Sequence, residues 1–513
     1  MISKVSCAAL MGIDALEVML EADLSRQGMP AFSMVGLAEG AVKESKERVF
    51  SALKNSGFRI PPSRITVNLA PANIRKAGSA YDLPMAIGLL GAAGVIDTEG
   101  PRGDLAKWMI AGELSLDGTT RPVTGILPLA LLAKAQGAPG IIVPAGNAEE
   151  AAVVRGLNVY GIDTLAQLVR FFSGEEELEP TIVDIDNLWG AREDFFMDFS
   201  EVKGQEHAKR AIEIAAAGAH NLLFVGPPGS GKTMLARRIP TVLPPLDFEE
   251  ALEVTKIYSV AGQLPEDQAL CVTRPFRSPH HTISDIGLIG GGRSPKPGEV
   301  SLAHRGVLFL DELPEFKKNA LEVLRQPIED GSVNISRAMV SLTYPSDFML
   351  VSAMNPCPCG FLTDDRHPCT CSDVAVARYR NKLSGPLMDR IDLQVEVPAV
   401  PYEDLQRKAS GTDSATMRAR ILEARQTQAE RYKDLPIINN SELSGRTLDD
   451  FCPLGEAENN FLRQAVENLG LSARAFTRIL RIARTIADLD HSNNIELNHL
   501  AEAVNYRNMD RGV

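Results

Sequence analysis

The sequence predicts an α/β protein of more than one domain. Three observations carry that prediction. A glycine-rich turn separates an apolar run from a helix-compatible run within residues 221–239. A second apolar run, at 306–312, ends in two acidic residues. In the first 173 residues apolar positions alternate between period two and period 3.6, the marks of strands and helices. A chain of 513 residues has room for two to four domains, each with its own core. The 44% hydrophobic and 23% charged fractions are ordinary for a globular protein. A formal net charge of −13 argues against a protein that coats nucleic acid through a generally basic surface, yet it leaves room for a local basic lining.

The first seven residues lack the basic region, apolar core and cleavage site of a signal peptide. Apolar stretches such as 84–96 are too short to span a bilayer. A cytoplasmic location without a membrane partner is expected. Seven cysteines in a large chain without a secretory signal do not suggest a disulfide framework.

The apolar run 221–225 reads as a short strand. Gly226, Pro227, Pro228, Gly229, Ser230, Gly231, Lys232 and Thr233 follow, and 234–239 can be helical. Strand, glycine-rich loop and helix in that order predict a phosphate-binding P-loop. Its glycines let backbone N–H groups turn toward phosphate oxygens. Lys232 would reach the β- and γ-phosphates and Thr233 would place a hydroxyl on Mg²⁺. ATP and Mg²⁺ are therefore the expected cofactors.

Gly306-Val-Leu-Phe-Leu310-Asp311-Glu312 reads as a buried strand whose tip lies beside the P-loop. Asp311 would hold Mg²⁺ through water, and Glu312 would orient and polarise the attacking water. A buried strand ending in a charged turn is the plainer alternative. Residues 348–356 form a third such run. Asn355 at its tip is suited to bond the γ-phosphate or the attacking water, the sensor role, although Asn-Pro is also a common turn.

The front segment, 1–173, reads as a strand at 65–69, a buried helix at 83–94, a helix at 127–135 and a strand at 141–143. Residues 174–197 are acidic and proline-terminated, and read as a solvated tether. The motor segment spans 198–400. Residues 401–513 carry helical periodicity at 415–432, 456–469, 473–489 and 496–504.

Two inserts interrupt the motor. Residues 275–298 are rich in glycine and proline and are expected to form a working loop facing a ring pore; their His280-His281 pair lacks a third metal ligand. Residues 332–342 alternate as a β-hairpin does, with Arg337 at or near its tip. Such a tip can grip a phosphate backbone or can be an ordinary surface hairpin. Cys357, Cys359, Cys369 and Cys371 fall within fifteen residues, a set that can surround Zn²⁺ tetrahedrally or remain as reduced structural cysteines.

Two family resemblances complete the reading. Arg75-Lys76-Ala-Gly78-Ser79-Ala80 and Ala111-Gly-Glu113, with Arg121-Pro-Val-Thr-Gly125-Ile-Leu127, resemble the proteolytic domain of Lon, a ribosomal-S5-like fold. That resemblance places Ala80 at the family's serine and Leu127 at its lysine. Ser79 is one residue off and Lys134 two helical turns late. A serine nucleophile needs a nearby base, so an assembly or partner-binding domain without peptidase activity is expected. Gly204-Gln205 resembles the entry segment of AAA+ ATPases. Ser384-Gly-Pro-Leu-Met-Asp389-Arg390-Ile391-Asp392 resembles their arginine-finger segment, with Arg390 as the finger and Arg378 and Arg380 as competitors. Arg474 fits the sensor-2 position on a C-terminal helical lid. Arg478, Arg481 and Arg484 read as a solvated helix face.

As a whole the chain resembles the magnesium-chelatase-like AAA+ proteins of bacteria, the ComM/YifB group. The resemblance implies a hexameric ATPase that moves on single-stranded or branched DNA through pore loops and promotes branch migration, including during natural transformation. A remodelling motor on a protein partner, as in complexes that insert Mg²⁺ into a porphyrin, is the alternative; the Lon-like front domain, which that reading lacks, and Arg337 favour DNA. An ATP-dependent protease is disfavoured by Ala80 and Leu127.

Overall fold

The computed structural model describes every residue except 1, 28, 191–196, 266–267, 293–294, 338–339, 365, 402–410 and 508–513. It divides into two compact units, Met1–Arg192 with Phe248–Val272, and Glu193–Asp247 with Thr273–Val513. No helix among the described residues is long and apolar enough to cross a membrane.

The first unit is built on a seven-stranded mixed sheet. Its order is Ala31–Val35, Arg64–Ala70, Asp14–Ser25, Ile2–Met11, Met109–Ile110, Ile141–Pro144 and Val159–Ile162. The long hairpin of Ile2–Met11 and Asp14–Ser25 is antiparallel, and pairing beyond Ile2–Met11 is parallel. Helix Asp82–Ala93 is buried from Asp82 to Ala92. Its Gly88 lets it lie against the hairpin, since a Cβ there would stand 2.8 Å from Leu20 Cδ2. The one charge on its buried face, Asp82, is matched by Arg48 Nε at 2.8 Å and by the backbone N–H of Leu114 at 3.3 Å.

Helix Phe248–Ala261 comes from the motor sequence but packs in this first unit. Lys256 Nζ lies 2.6 Å from Asp14 Oδ1, the Ser259 hydroxyl bonds the Glu150 carboxylate, and the Arg155 guanidinium covers the Phe248 ring at 4.9 Å. The acidic run after Ser173 is not a free tether. Glu176 pairs with Arg170 and Glu177 with Arg102, each at 2.7 Å. Arg102 lies far earlier in the chain, where local charge counting does not reach, whereas Arg170 is close by.

The second unit holds a five-stranded, all-parallel sheet in the order Phe276–Arg277, Val307–Leu310, Met349–Met354, Leu222–Val225, Leu393–Glu396. Its central strands are buried residue after residue, as expected where helices cover both faces. Helix Glu206–Gly218 offers Ala208, Ala211, Ile212 and Ala215 to a core shared with Ile421, Ala424, Ile482 and Ile486. Past the sheet, the chain runs through helices Ser414–Tyr432, Arg446–Phe451, Glu456–Leu469, Ala473–Leu489 and Leu497–Asn505.

The arginines of helix Ala473–Leu489 correct the sequence expectation. Arg484 is 1% exposed and donates to Asp488, Ser492 and Asn493. Arg481 donates to Leu443 O at 2.6 Å, and Arg478 lies 3.4 Å from Asp392. Carbonyls and carboxylates meet these guanidinium groups, Asp392 and Leu443 from distant segments and Asp488, Ser492 and Asn493 from close by in sequence, which offsets the cost of burying charge.

Candidate functional site

Parallel register delivers three loops to one edge. Val225 pairs with Met354, and Leu310 pairs with Ser352 on the same strand. The carboxyl ends of these strands therefore present the loop 226–233, the Asp311-Glu312 pair and Asn355 side by side, where open parallel sheets place ligands. The loop is shaped by its glycines. A Cβ at Gly226 would stand 2.0 Å from Val397 O, and Gly229 and Gly231 hold φ of 77° and 94°, conformations that side chains resist. Ser230 Oγ is buried without a partner among the described residues.

Lys232 is buried, and its Nζ donates to Gly226 O and Pro227 O at 2.8 Å each and to Asn355 Oδ1 at 3.3 Å. Burial pulls its pKa below the usual lysine value, with Asp311 opposing. The Thr233 hydroxyl donates to Asp311 Oδ2 at 2.6 Å, and the Glu312 N–H donates to Asp311 Oδ1 at 2.9 Å. Lys232, Thr233, Asp311, Glu312 and Asn355 thus form one connected group. The orphaned Ser230 hydroxyl, the tight glycine cradle and the Thr233–Asp311 pair fit a phosphate chain with a divalent cation.

Glu312 has a left-handed backbone, φ 53°, which costs a non-glycine residue about 1 kcal/mol. Its carboxylate lies 3.3 Å from His281 Nδ1. His281 is a site residue that the sequence reading missed. The available signal was its position just after Phe276–Arg277, which is the edge strand beside Val307–Leu310 rather than part of a free insert.

The two predicted arginines form a separate group. Arg390 is buried, its Nη2 bonded to the Glu329 carboxylate and its Nη1 to Pro386 O, while its Nε has no partner among the described residues. It lines a cavity of about 530 Å³ with Glu322, Arg325, Glu329, Asp330 and Asn334. Arg474 is exposed and reaches Asp389 Oδ2 at 3.1 Å, next in sequence to Arg390. Among the described residues no hydrogen bond or ion pair joins this group to Lys232. Of the competitors, Arg380 Nε approaches Pro356 O at 3.5 Å and Arg378 is exposed.

The four cysteines are brought together. Cys357 Sγ lies 3.4 Å from Cys359 Sγ and 3.7 Å from Cys369 Sγ, and Cys359 Sγ lies 3.6 Å from Cys369 Sγ. With Cys371 all four sulfurs fall within 4.8 Å of one another. Backbone N–H groups of Phe361 and then Thr370 hold the Cys359 thiol down to about 6. Zn–S bonds of about 2.3 Å in a tetrahedron give sulfur–sulfur edges of about 3.8 Å, so the set fits a thiolate-bound metal.

The hairpin is present as Ser332–Arg337 with Val340–Pro345, and Arg337 pairs with Val340 in its backbone ladder. The turn residues 338–339, and 293–294 of the other insert, lie outside the described residues. Arg277 is held bidentately by Glu299 at 2.7 and 2.8 Å.

Three sequence-family models match this chain. One described as magnesium chelatase, subunit ChlI, covers residues 198–405; one described as subunit ChlI of Mg-chelatase covers 20–147; one described as magnesium chelatase, subunit ChlI C-terminal, covers 411–507. The chain is 44% identical to competence protein ComM of Haemophilus influenzae over 509 residues, spanning 98% of this chain and 97% of that protein. It is 43% identical to the uncharacterized protein YifB of Escherichia coli over 512 residues, 99% and 98% of the two chains. The magnesium-chelatase 38 kDa subunit of Rhodobacter capsulatus is 24% identical over 344 residues, 61% of this chain and 86% of that subunit.

Proposed function

The chain belongs to the magnesium-chelatase-like ComM/YifB family, and on that premise we propose that it is a cytoplasmic, ATP-hydrolysing AAA+ motor that works as a hexameric ring on DNA. The observation that carries the ATPase reading is the connected group of Lys232, Thr233, Asp311 and Asn355 at one sheet edge. Bound ATP with Mg²⁺ supplies the phosphoanhydride whose cleavage drives motion. The loop from Gly226 to Gly231 and Lys232 would bind the phosphates, and Thr233 and Asp311 would hold the cation. Glu312 would orient and polarise the attacking water, and Asn355 would bond the γ-phosphate or that water. Arg390 serves the nucleotide of the neighbouring subunit, where a guanidinium stabilises developing charge, and Arg474 reports on the γ-phosphate from the lid side. Arg390 must exchange Glu329 for that nucleotide when subunits assemble.

The division of labour follows. Residues 1–173 form a Lon-like assembly or partner domain; buried Leu127 offers no base to Ser79, so peptidase activity is not part of the reading. Residues 174–197 link it to the AAA+ core, 198–400, and 401–513 form a helical lid. Cys357, Cys359, Cys369 and Cys371 hold Zn²⁺. The insert at 275–298 and the hairpin carrying Arg337 contact single-stranded or branched DNA. The near-full-length likeness to a competence protein supports a role in natural transformation, with branch migration of recombination intermediates as the proposed activity.

A protein-remodelling motor of the chelatase type is the second reading, favoured by the match to the 38 kDa chelatase subunit. A chelatase-named family model also matches inside the front segment, which removes the front domain as an argument between the two. The test is ATPase activity with single-stranded DNA and with a four-way junction, using Lys232→Ala and Glu312→Gln as inactive controls. Stimulation by DNA together with junction unwinding is expected. Absence of both would overturn the DNA reading.

A further inference from the structure

We propose that the four-cysteine metal site is a structural part of the nucleotide pocket, so that nucleotide affinity depends on the bound metal; the proposal rests on the zinc reading above. Chain connectivity makes the first link. Strand Met349–Met354 ends at Asn355, whose Oδ1 accepts from Lys232 Nζ at 3.3 Å, and Cys357 follows two residues later. The direction in which Asn355 leaves the sheet is therefore set by where Cys357 is held.

Packing makes the second link. The Cys357–Gly360 turn closes with a Gly360 N–H to Cys357 O bond of 3.0 Å, and Gly360 has φ 87°. A Cβ on Gly360 would stand 2.7 Å from Pro228 Cδ and 3.9 Å from the Asn355 side-chain carbon Cγ. The cysteine turn is thus pressed directly onto the phosphate loop, with no room for one additional carbon.

Sulfur geometry makes the third link. Separations of 3.4 to 3.7 Å are far too long for a disulfide of about 2.05 Å and close to the edge of a tetrahedral thiolate site. Four thiolates select a soft cation of the Zn²⁺ class. Between Cys359 and Cys369 the described residues form only turns and bends, and the second Cys-x-Cys pair lies just before helix Asp373–Arg380. A metal ties the two pairs together, and the closed knot bears on both Asn355 and Pro228.

The experiment uses the full-length chain. Metal content is measured by elemental mass spectrometry, and ADP affinity by calorimetry, before and after a zinc-selective chelator that leaves Mg²⁺ in solution. One equivalent of zinc per chain is expected. Chelation should weaken ADP binding by about tenfold or more, and added Zn²⁺ should restore it. Gly360→Ala should keep its zinc yet also lose ADP affinity, because the new carbon meets Pro228. A chain purified from zinc-supplemented culture without metal overturns the zinc reading and the proposal with it. Zinc that is bound, but whose removal leaves ADP affinity unchanged, overturns the coupling alone. If chelation unfolds the chain, as circular dichroism would show, Gly360→Ala decides: zinc retained with wild-type ADP affinity overturns the proposal.

Discussion

The Thr233 hydroxyl and the Asp311 carboxylate, 78 residues apart in sequence, share a hydrogen bond of 2.6 Å. The short distance is that of a hydroxyl donating to an ionised acceptor. Thr233 and Asp311 are the residues that would hold a divalent cation beside the phosphates. Asp311→Asn keeps the shape and removes the charge. ATP hydrolysis should fall by about 10²–10³, while ADP binding changes little and the Mg²⁺ concentration for half-maximal activity rises. A magnesium titration of ATPase rate checks this, and a wild-type profile would remove Asp311 from the cation site.

His281 Nδ1 stands 3.3 Å from Glu312 Oε2, and Glu312 is the proposed base. A ring nitrogen at this distance aims the carboxylate without touching the phosphate-binding loop. His281→Ala should therefore lower kcat by about tenfold and leave KM for ATP nearly unchanged, with His281→Gln recovering part of the rate. An effect confined to KM would place His281 in nucleotide binding instead.

Local pattern explains which parts of this site were legible in the sequence. The strand–loop–helix around Lys232 and the apolar strands ending at Asp311 and Asn355 announce themselves within a dozen residues, because backbone and burial dictate them locally. Helix bounds such as Glu456–Leu469 and Ala473–Leu489 followed from apolar periodicity for the same reason. Arg478 and Arg481 misled because their partners, Asp392 and Leu443, are distant in sequence, whereas Arg484 turns inward onto Asp488, Ser492 and Asn493 close by. Glu329, which holds Arg390 from 61 residues away, was equally invisible. Phe276–Arg277 is a strand of two residues, too short to show a period, and its loss from the reading hid His281. Nothing in the composition of Phe248–Ala261 marks it as a helix that leaves the motor for the first unit.

Asp488 anchors a buried polar network in the second unit. It accepts from Arg431 Nη1 at 2.9 Å, Arg484 Nε at 3.1 Å and Asn440 Nδ2 at 2.9 Å. Its side chain is fully buried and that of Arg484 is 2% exposed. Removing the carboxylate leaves a guanidinium in the interior with no counter-charge. Asp488→Ala should cost about 3–5 kcal/mol, read as a lowered urea midpoint for the second unit. Asp488→Asn, which keeps the shape and one acceptor but removes the charge, should fall between that variant and the native chain.

His220 gives the pH dependence. It is fully buried, with Nε2 2.8 Å from Thr485 Oγ1 and Nδ1 3.9 Å from Asp392. Burial pushes its pKa from 6.5 down to about 4; Asp392 opposes this, and Arg481, Arg425 and Arg478 add to it. In this range the unfolded chain binds a proton that the folded chain refuses, so stability rises with pH. His220 costs nothing above pH 6.5, and its penalty grows as pH falls from 6.5 toward 4. The span from 6.5 to about 4, at about 1.36 kcal/mol per pH unit, sets that penalty at about 3 kcal/mol. His220→Gln keeps a group that can bond Thr485 and does not titrate. Urea unfolding at about pH 7.5 and about pH 4.5 should show the native chain losing more stability between the two than the variant, by most of that amount. Equal losses in the two proteins would mean that His220 accepts its proton without leaving the core.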